Sequence, residues 1–236
     1  MTRRSPMSLQ RIAYEVREVC NGVELAALEA AIARTGLSAG ATAIDIGTGN
    51  ATVAIQLARR FGLTVDAVEL DPVMAELARS RIEAADAEHK VSLTVARAAD
   101  MLARTEPVDL IVALGTTDVS GEGRPTPEAG FMALRRKLKP GGWLLWGDVV
   151  WLAEPPAPLR QITEVTNQYT NDAGWRAAAT AAGFEVVEGR ISPQDVYDAY
   201  ARDSVAILFN ADRVQAIMEF GRDYIGFGLY LLRNPA

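Results

Sequence analysis

The sequence predicts an α/β fold around a doubly wound, mostly parallel sheet. Three observations carry this. Short apolar runs alternate with longer amphipathic ones from residue 42 to 150, the order that βα units require. The run Val108–Leu114 is apolar apart from Asp109, as a strand buried on both faces must be. Glycines 47 and 49 directly follow the first strand-like run, where a strand turns sharply into a helix.

Taken in order, residues 9–34 place Ile12, Val16, Val19, Val23, Ala27 and Ile32 at helical spacing and predict one or two helices ahead of the sheet. Thr42–Ile46 is the first strand and Ala51–Phe61 the first helix of the alternation. Leu63–Leu70 is a second strand. Pro72, suited to a first helical turn, opens a helix to about Ala85. Val91–Val95, Val108–Leu114 and Trp143–Val150 are the next strands, with a helix at Pro127–Leu138 ended by Pro140-Gly141-Gly142. Glu154–Pro158 is a stiff linker, 160–182 is mostly helical, and Phe184–Arg190 is a strand. Ser192 and Pro193 read as the N-cap and first position of a helical stretch reaching about Gly221. Tyr224–Leu232 is the last strand. The whole reads as a single domain, 1–236. Residues 1–40 form a helical cap, 41–152 a cofactor-binding core, and 153–236 the other half of the sheet with helices on the acceptor side.

The rare residues exclude whole classes of chemistry. With one cysteine, Cys20, no intrachain disulfide forms; with one histidine, His89, no His-pair zinc site exists, and no metal site is expected. Lysines occur only at 90, 137 and 139. The net charge of -6 argues against a nucleic-acid partner, and Arg135-Arg136-Lys137-Lys139 reads as a solvated helix end that complements the helix dipole. The start has two arginines but no apolar segment behind them, and no run spans a bilayer, so a cytoplasmic protein without a membrane partner is expected.

The most informative segment is Asp45-Ile46-Gly47-Thr48-Gly49-Asn50-Ala51-Thr52. Its glycines allow a tight turn and close approach of a ligand to backbone N–H groups. Glu69, 22 residues after Gly47 and at the end of the next strand, stands where an acid reaches a ribose diol. A dinucleotide would prefer a third glycine where Thr52 stands and an apolar residue at Asp45, which counts against NAD or FAD.

Asp45–Ala51 resembles motif I, DxGxGxG, of the class I S-adenosylmethionine-dependent methyltransferases, with Ala51 at the third glycine. Val68-Glu69-Leu70-Asp71-Pro72 is similar to the superfamily's second motif, and Leu138-Lys139-Pro140-Gly141-Gly142 to the turn before its fifth strand. The tail 221–232 is similar to the ends of bacterial methyltransferase-domain proteins presumed to act on small molecules. The resemblance implies the Rossmann-like methyltransferase fold, with seven strands and the last antiparallel. It also implies S-adenosyl-L-methionine as cofactor, held by Asp45, Gly47, Gly49, Glu69, Leu70, Ala99, Asp100, Met101 and Gly115. Gly47 and Gly49 would pass the methionine part, Glu69 would take the ribose hydroxyls and Leu70 would flank the adenine. Arg97 stands where an aspartate often holds the adenine amine. Asp100 has two readings, an adenine contact or the cap of a short helix.

Methyl transfer needs a nucleophile held in line and water excluded, with a base where the nucleophile carries a tightly held proton. Asp118 and Asp148, at the ends of the fourth and fifth strands, are the candidate catalytic residues; each also reads as an ordinary loop or structural aspartate. His89 falls on the wrong edge of the sheet. Trp146, Trp151, Tyr169 and Trp175 are either acceptor-pocket walls or core, Tyr14 is a lid candidate, and Cys20 reads as a small buried hydrophobe. The function these residues imply is methyl transfer to a small molecule. The competing readings are an NAD-dependent oxidoreductase and a non-catalytic cofactor-binding protein. Oligomeric state is not legible.

Overall fold

A computed structural model describes residues 11, 14–116, 119–121, 123–165, 167–208 and 221–236. Its strands are β1 (Thr42–Ile46), β2 (Thr64–Glu69), β3 (Val91–Val95), β4 (Val108–Leu114), β5 (Leu138–Trp151), β6 (Glu185–Ile191) and β7 (Ile225–Arg233). They form one seven-stranded sheet in the order β3-β2-β1-β4-β5-β7-β6. The β1–β2, β2–β3, β1–β4 and β4–β5 pairs are parallel, and β7 runs antiparallel to both β5 and β6. Strand order reverses between β1 and β4, and the crevice at their carboxyl ends is where open α/β sheets receive ligands.

The described helices are α1 (Leu25–Arg34), α2 (Thr52–Phe61), α3 (Pro72–Ala84), α4 (Ala98–Arg104), α5 (Pro127–Arg135), α6 (Ala157–Thr163), α7 (Asp172–Ala181) and α8 (Gln194–Leu208). They cover both faces of the sheet. Leu28, Leu57 and Ile82 pack with Val65, Leu110 and Leu145 on one side. Leu102, Phe131, Leu134 and Trp175 pack with Ile44, Ile111 and Leu144 on the other. Local chemistry sets the helix starts: the Asp71 carboxylate accepts from Val73 N at 2.8 Å ahead of Pro72, and Thr126 Oγ1 accepts from Ala129 N at 3.2 Å ahead of Pro127. The one charge inside β4, Asp109, accepts from Thr42 N and from Lys139 Nζ, each at 2.8 Å.

Several elements differ from the sequence reading. In the N-terminal stretch residues 11, 14 and 15 and Leu25–Arg34 are helical, in line with the one or two helices expected, but residues 16–24 between them are irregular, with Val19 and Val23 buried and Val16 80% exposed. A helix at 98–104 that the periodicity did not announce follows β3. Strand β5 begins at Leu138 rather than Trp143. The Pro140-Gly141-Gly142 turn interrupts its register with β4 and is held by Asn234, whose carbonyl accepts from Gly141 N at 2.9 Å. Residues 160–182 are mostly helical as expected, in two pieces: the end of α6 and α7. Helix α8 is described to Leu208, so the expected reach to Gly221 lies partly outside the described residues. Among the described residues no helix is long and apolar enough to cross a membrane.

Candidate functional site

The glycine loop turns β1 into α2 through three left-handed residues, Gly47 (φ +68°), Gly49 (φ +57°) and Ala51 (φ +62°). The N–H groups of Gly47 and Thr48 both donate to Val68 O at 2.9 Å, which fastens the loop to the end of β2. Gly49 N then donates to Glu69 Oε2 at 2.9 Å and Asp71 N to Glu69 Oε1 at 3.0 Å. Two backbone donors thus fix the Glu69 carboxylate in the protein alone, and each oxygen keeps acceptor capacity for a ligand hydroxyl. Asp45 lies behind this loop, 3% exposed, and accepts from Thr48 Oγ1 at 2.6 Å. Burial pushes its carboxyl up to about 6.

A cavity of about 370 Å³ opens between the loop and the ends of β2 and β4. That is within the size of small-molecule sites, about 300–1,000 Å³. Of the nine residues expected around a cofactor, Gly47, Gly49, Glu69, Leu70 and Gly115 line it. Asp45 does not; it supports the loop from beneath. Ala99, Asp100 and Met101 lie further along α4, outside the lining, and the wall at that point is Ala96, Arg97 and Ala98. The N-cap of α4 is Arg97, so Asp100 sits in the first turn of that short helix and does not cap it.

Tyr14, Cys20, Asn21 and Tyr200 also line it. Cys20 is partly buried, with its thiol pushed up to about 12 by burial. Asn21 Nδ2 donates to Leu114 O at 3.1 Å, and its Oδ1 stands 2.5 Å from where a Cβ at residue 115 would lie. Gly115, at φ +59°, is therefore required by conformation and by space. The sequence reading named Tyr14 as a lid but missed Asn21 and Tyr200. Both come from segments distant in sequence, and no local pattern marks them.

The residues fit S-adenosylmethionine: a fixed carboxylate for a diol, an exposed apolar Leu70 for a base, and glycines where a chain passes close. Thr52, where a dinucleotide loop prefers its third glycine, is the first residue of α2.

On the acceptor side, Asp118 lies outside the described residues. Asp148 is 3% exposed, one residue beyond Gly147, whose carbonyl accepts from Gly115 N at 2.7 Å. Asn167 Nδ2 donates to Thr116 O at 2.9 Å and approaches Asp148 Oδ2 at 3.5 Å, joining the carboxylate to a residue of the cavity wall. Burial pushes the Asp148 carboxyl up to about 7, against hydrogen bonds from Val149 N and Asn167 that favour its ionised form. Tyr169 stands close enough for Asp148 to raise its phenol further. Trp151 is edge-on to Tyr169 and donates from Nε1 to Glu164 Oε1 at 3.1 Å. Trp146 and Trp175 instead pack with Phe131 in the core. His89 is exposed in the turn between α3 and β3, at the opposite edge of the sheet. Among the described residues no cluster of three or more His, Cys, Asp or Glu is placed to hold a metal.

Residues 43–142 match a family model described as a methyltransferase domain. An uncharacterised protein of Haemophilus influenzae is 26% identical over 208 residues, which cover 83% of this chain and 82% of that protein. A SAM-dependent methyltransferase of Thiobacillus denitrificans, solved with S-adenosyl-L-homocysteine, superposes with a TM-score of 0.75 at 23% identity, covering 94% of this chain and 96% of its own. One from Geobacter sulfurreducens, also solved with S-adenosyl-L-homocysteine, gives 0.76 at 20% identity, covering 96% and 99%. The match over residues 43–142 is to a methyltransferase domain, and the chain as a whole shares the fold of these two solved methyltransferases.

Proposed function

We propose that this chain transfers a methyl group from S-adenosylmethionine to a small molecule whose nucleophilic atom carries a proton, and that Asp148 receives that proton. The observation that carries the acceptor half is a buried carboxylate, pushed up to about 7 by burial and joined through Asn167 to Thr116 of the cavity wall. The acidic balance of the chain disfavours a phosphate-rich polymer as acceptor.

S-adenosylmethionine supplies the methyl already activated on its sulfonium. The chain's own residues bind, orient and exclude water. Glu69, held by Gly49 N and Asp71 N, takes the ribose hydroxyls without reorganising. Gly47 and Gly49 let the backbone approach the methionine part, and Gly115 with Asn21 forms the wall opposite. Leu70 covers the adenine face, with residues 96–98 along its edge and Asp100 behind them. Ala99, Met101 and the loop-supporting Asp45 shape this site without lining it. Asp148 in its ionised form accepts the proton of a hydroxyl or amine, leaving a neutral carboxyl beside Asn167. Asp118 is the second candidate for that role.

The test incubates the protein with methyl-labelled S-adenosylmethionine and a size-fractionated extract. Label in the small-molecule fraction, with S-adenosylhomocysteine formed in equal amount, supports the proposal. Label confined to protein or nucleic acid, or no S-adenosylhomocysteine above the control, refutes it.

A further inference from the structure

Residues 14–21 cross the carboxyl edge of the sheet over the cavity and contribute Tyr14, Cys20 and Asn21 to its wall. Most of this strap lies outside helix and sheet, so its carbonyls need donors from elsewhere. One side chain answers much of that need. The Asn50 amide, 2% exposed, donates from Nδ2 towards Arg17 O at 2.9 Å, Tyr14 O at 3.2 Å and Glu18 O at 3.4 Å. Its Oδ1 accepts from Thr52 N at 3.1 Å, at the start of α2. Arg81 of α3 adds a second anchor, donating from Nη2 to Glu15 O at 2.7 Å and from Nη1 to Thr52 Oγ1 at 3.1 Å. On its far side the strap reaches α8, where Arg17 Nη2 donates to Ala199 O at 2.7 Å.

We propose that Asn50 is a positioning residue that clamps the strap 14–18 onto the glycine loop, so that Tyr14, Cys20 and Asn21 stand as the outer wall of the cofactor site. The clamp acts on cofactor binding and leaves the transfer step itself to other groups. It rests on the reading that the cavity takes S-adenosylmethionine. The loop residue between Gly49 and Ala51 is then chosen for its donor. The acceptor half of the same amide serves α2, and an aspartate would serve that half equally well.

This division supplies the test. Asn50→Asp keeps an acceptor for Thr52 N and removes the donor, setting a carboxylate against the strap carbonyls. Hydrogen exchange is followed on the ligand-free protein, and S-adenosylhomocysteine binding by calorimetry. The variant is expected to exchange the amides of residues 14–21 at least about tenfold faster, leave those of 52–61 unchanged, and bind S-adenosylhomocysteine about tenfold more weakly. Arg81→Met loosens the strap from a site outside the loop and is expected to move both readouts the same way; it decides the matter if the Asn50 variant does not fold. Strap exchange unchanged in these variants, or faster exchange with affinity unchanged, overturns the proposal. If the wild type binds no S-adenosylhomocysteine, the cofactor reading fails on its own, while the exchange data still decide whether Asn50 holds the strap.

Discussion

Replacing Asp148 by asparagine separates the two properties that its burial gives it. The change keeps size and shape and removes the charge. The carboxyl rises from an ordinary 3.8 to about 7 because the folded protein buries it. At about 1.4 kcal/mol per tenfold, ionising it in place costs the folded state up to about 4 kcal/mol at alkaline pH, and internal relaxation reduces this to about 2–4 kcal/mol. The sign follows from proton counting. Below 3.8 the group is neutral folded and unfolded, and it costs nothing. Between 3.8 and 7 the folded state holds more protons, so stability falls as pH rises. Above 7 the full cost is present. The asparagine variant has no such slope at this position, so its stability relative to wild type should rise by about 2–3 kcal/mol between pH 5 and pH 8.5. Buried Asp45, also raised, is common to both proteins and cancels in the difference. Urea unfolding at the two pH values measures it. A gain that is the same at both, or no gain at pH 8.5, refutes a carboxylate whose desolvation outweighs its hydrogen bonds. Methyl transfer by the wild type should rise with pH through about 7, and the variant should lose both that rise and most of its rate.

Two further substitutions test the site and the core. Gly115→Ala puts a Cβ against Asn21 Oδ1 at a left-handed position, and is expected to cost about 1–3 kcal/mol in urea unfolding and to weaken S-adenosylhomocysteine binding; an unchanged midpoint contradicts the close approach. Trp146 Nε1 is buried without a partner among the described residues, whereas Trp175 Nε1 donates to Val149 O at 3.0 Å. Trp146→Phe should therefore be the milder of the matched pair by about 1 kcal/mol or more, and equal losses would refute the distinction.

The glycine loop was legible because its chemistry is local. A strand, two glycines at positive φ and an acid at the next strand's end lie within thirty residues, and each has a single structural use. The sheet was legible for a similar reason, since buried parallel strands carry their own apolar signature. What escaped depends on partners remote in sequence. Val16, Val19 and Val23 kept a helical spacing, but the backbone at 16–24 is irregular, with Arg17 O and Glu18 O bound by Asn50. Asn21 and Tyr200 reach the cavity only because β4 ends, and the middle of α8 passes, beside it. Trp146 and Trp175 could have been pocket or core on composition alone; their side of the sheet faces α5 and α7 and makes them core. The wall expected by resemblance at 99–101 lies at 96–98, where the chain leaves β3 and starts α4.

The central claim is that Glu69, fixed by Gly49 N and Asp71 N, is the ribose anchor of an S-adenosylmethionine site. Calorimetric titration of S-adenosylhomocysteine into the wild type and Glu69→Ala tests it most directly. Losing two charge-assisted hydrogen bonds should weaken binding about 100-fold or more. Affinities within about threefold of each other, or no binding by the wild type, would contradict it.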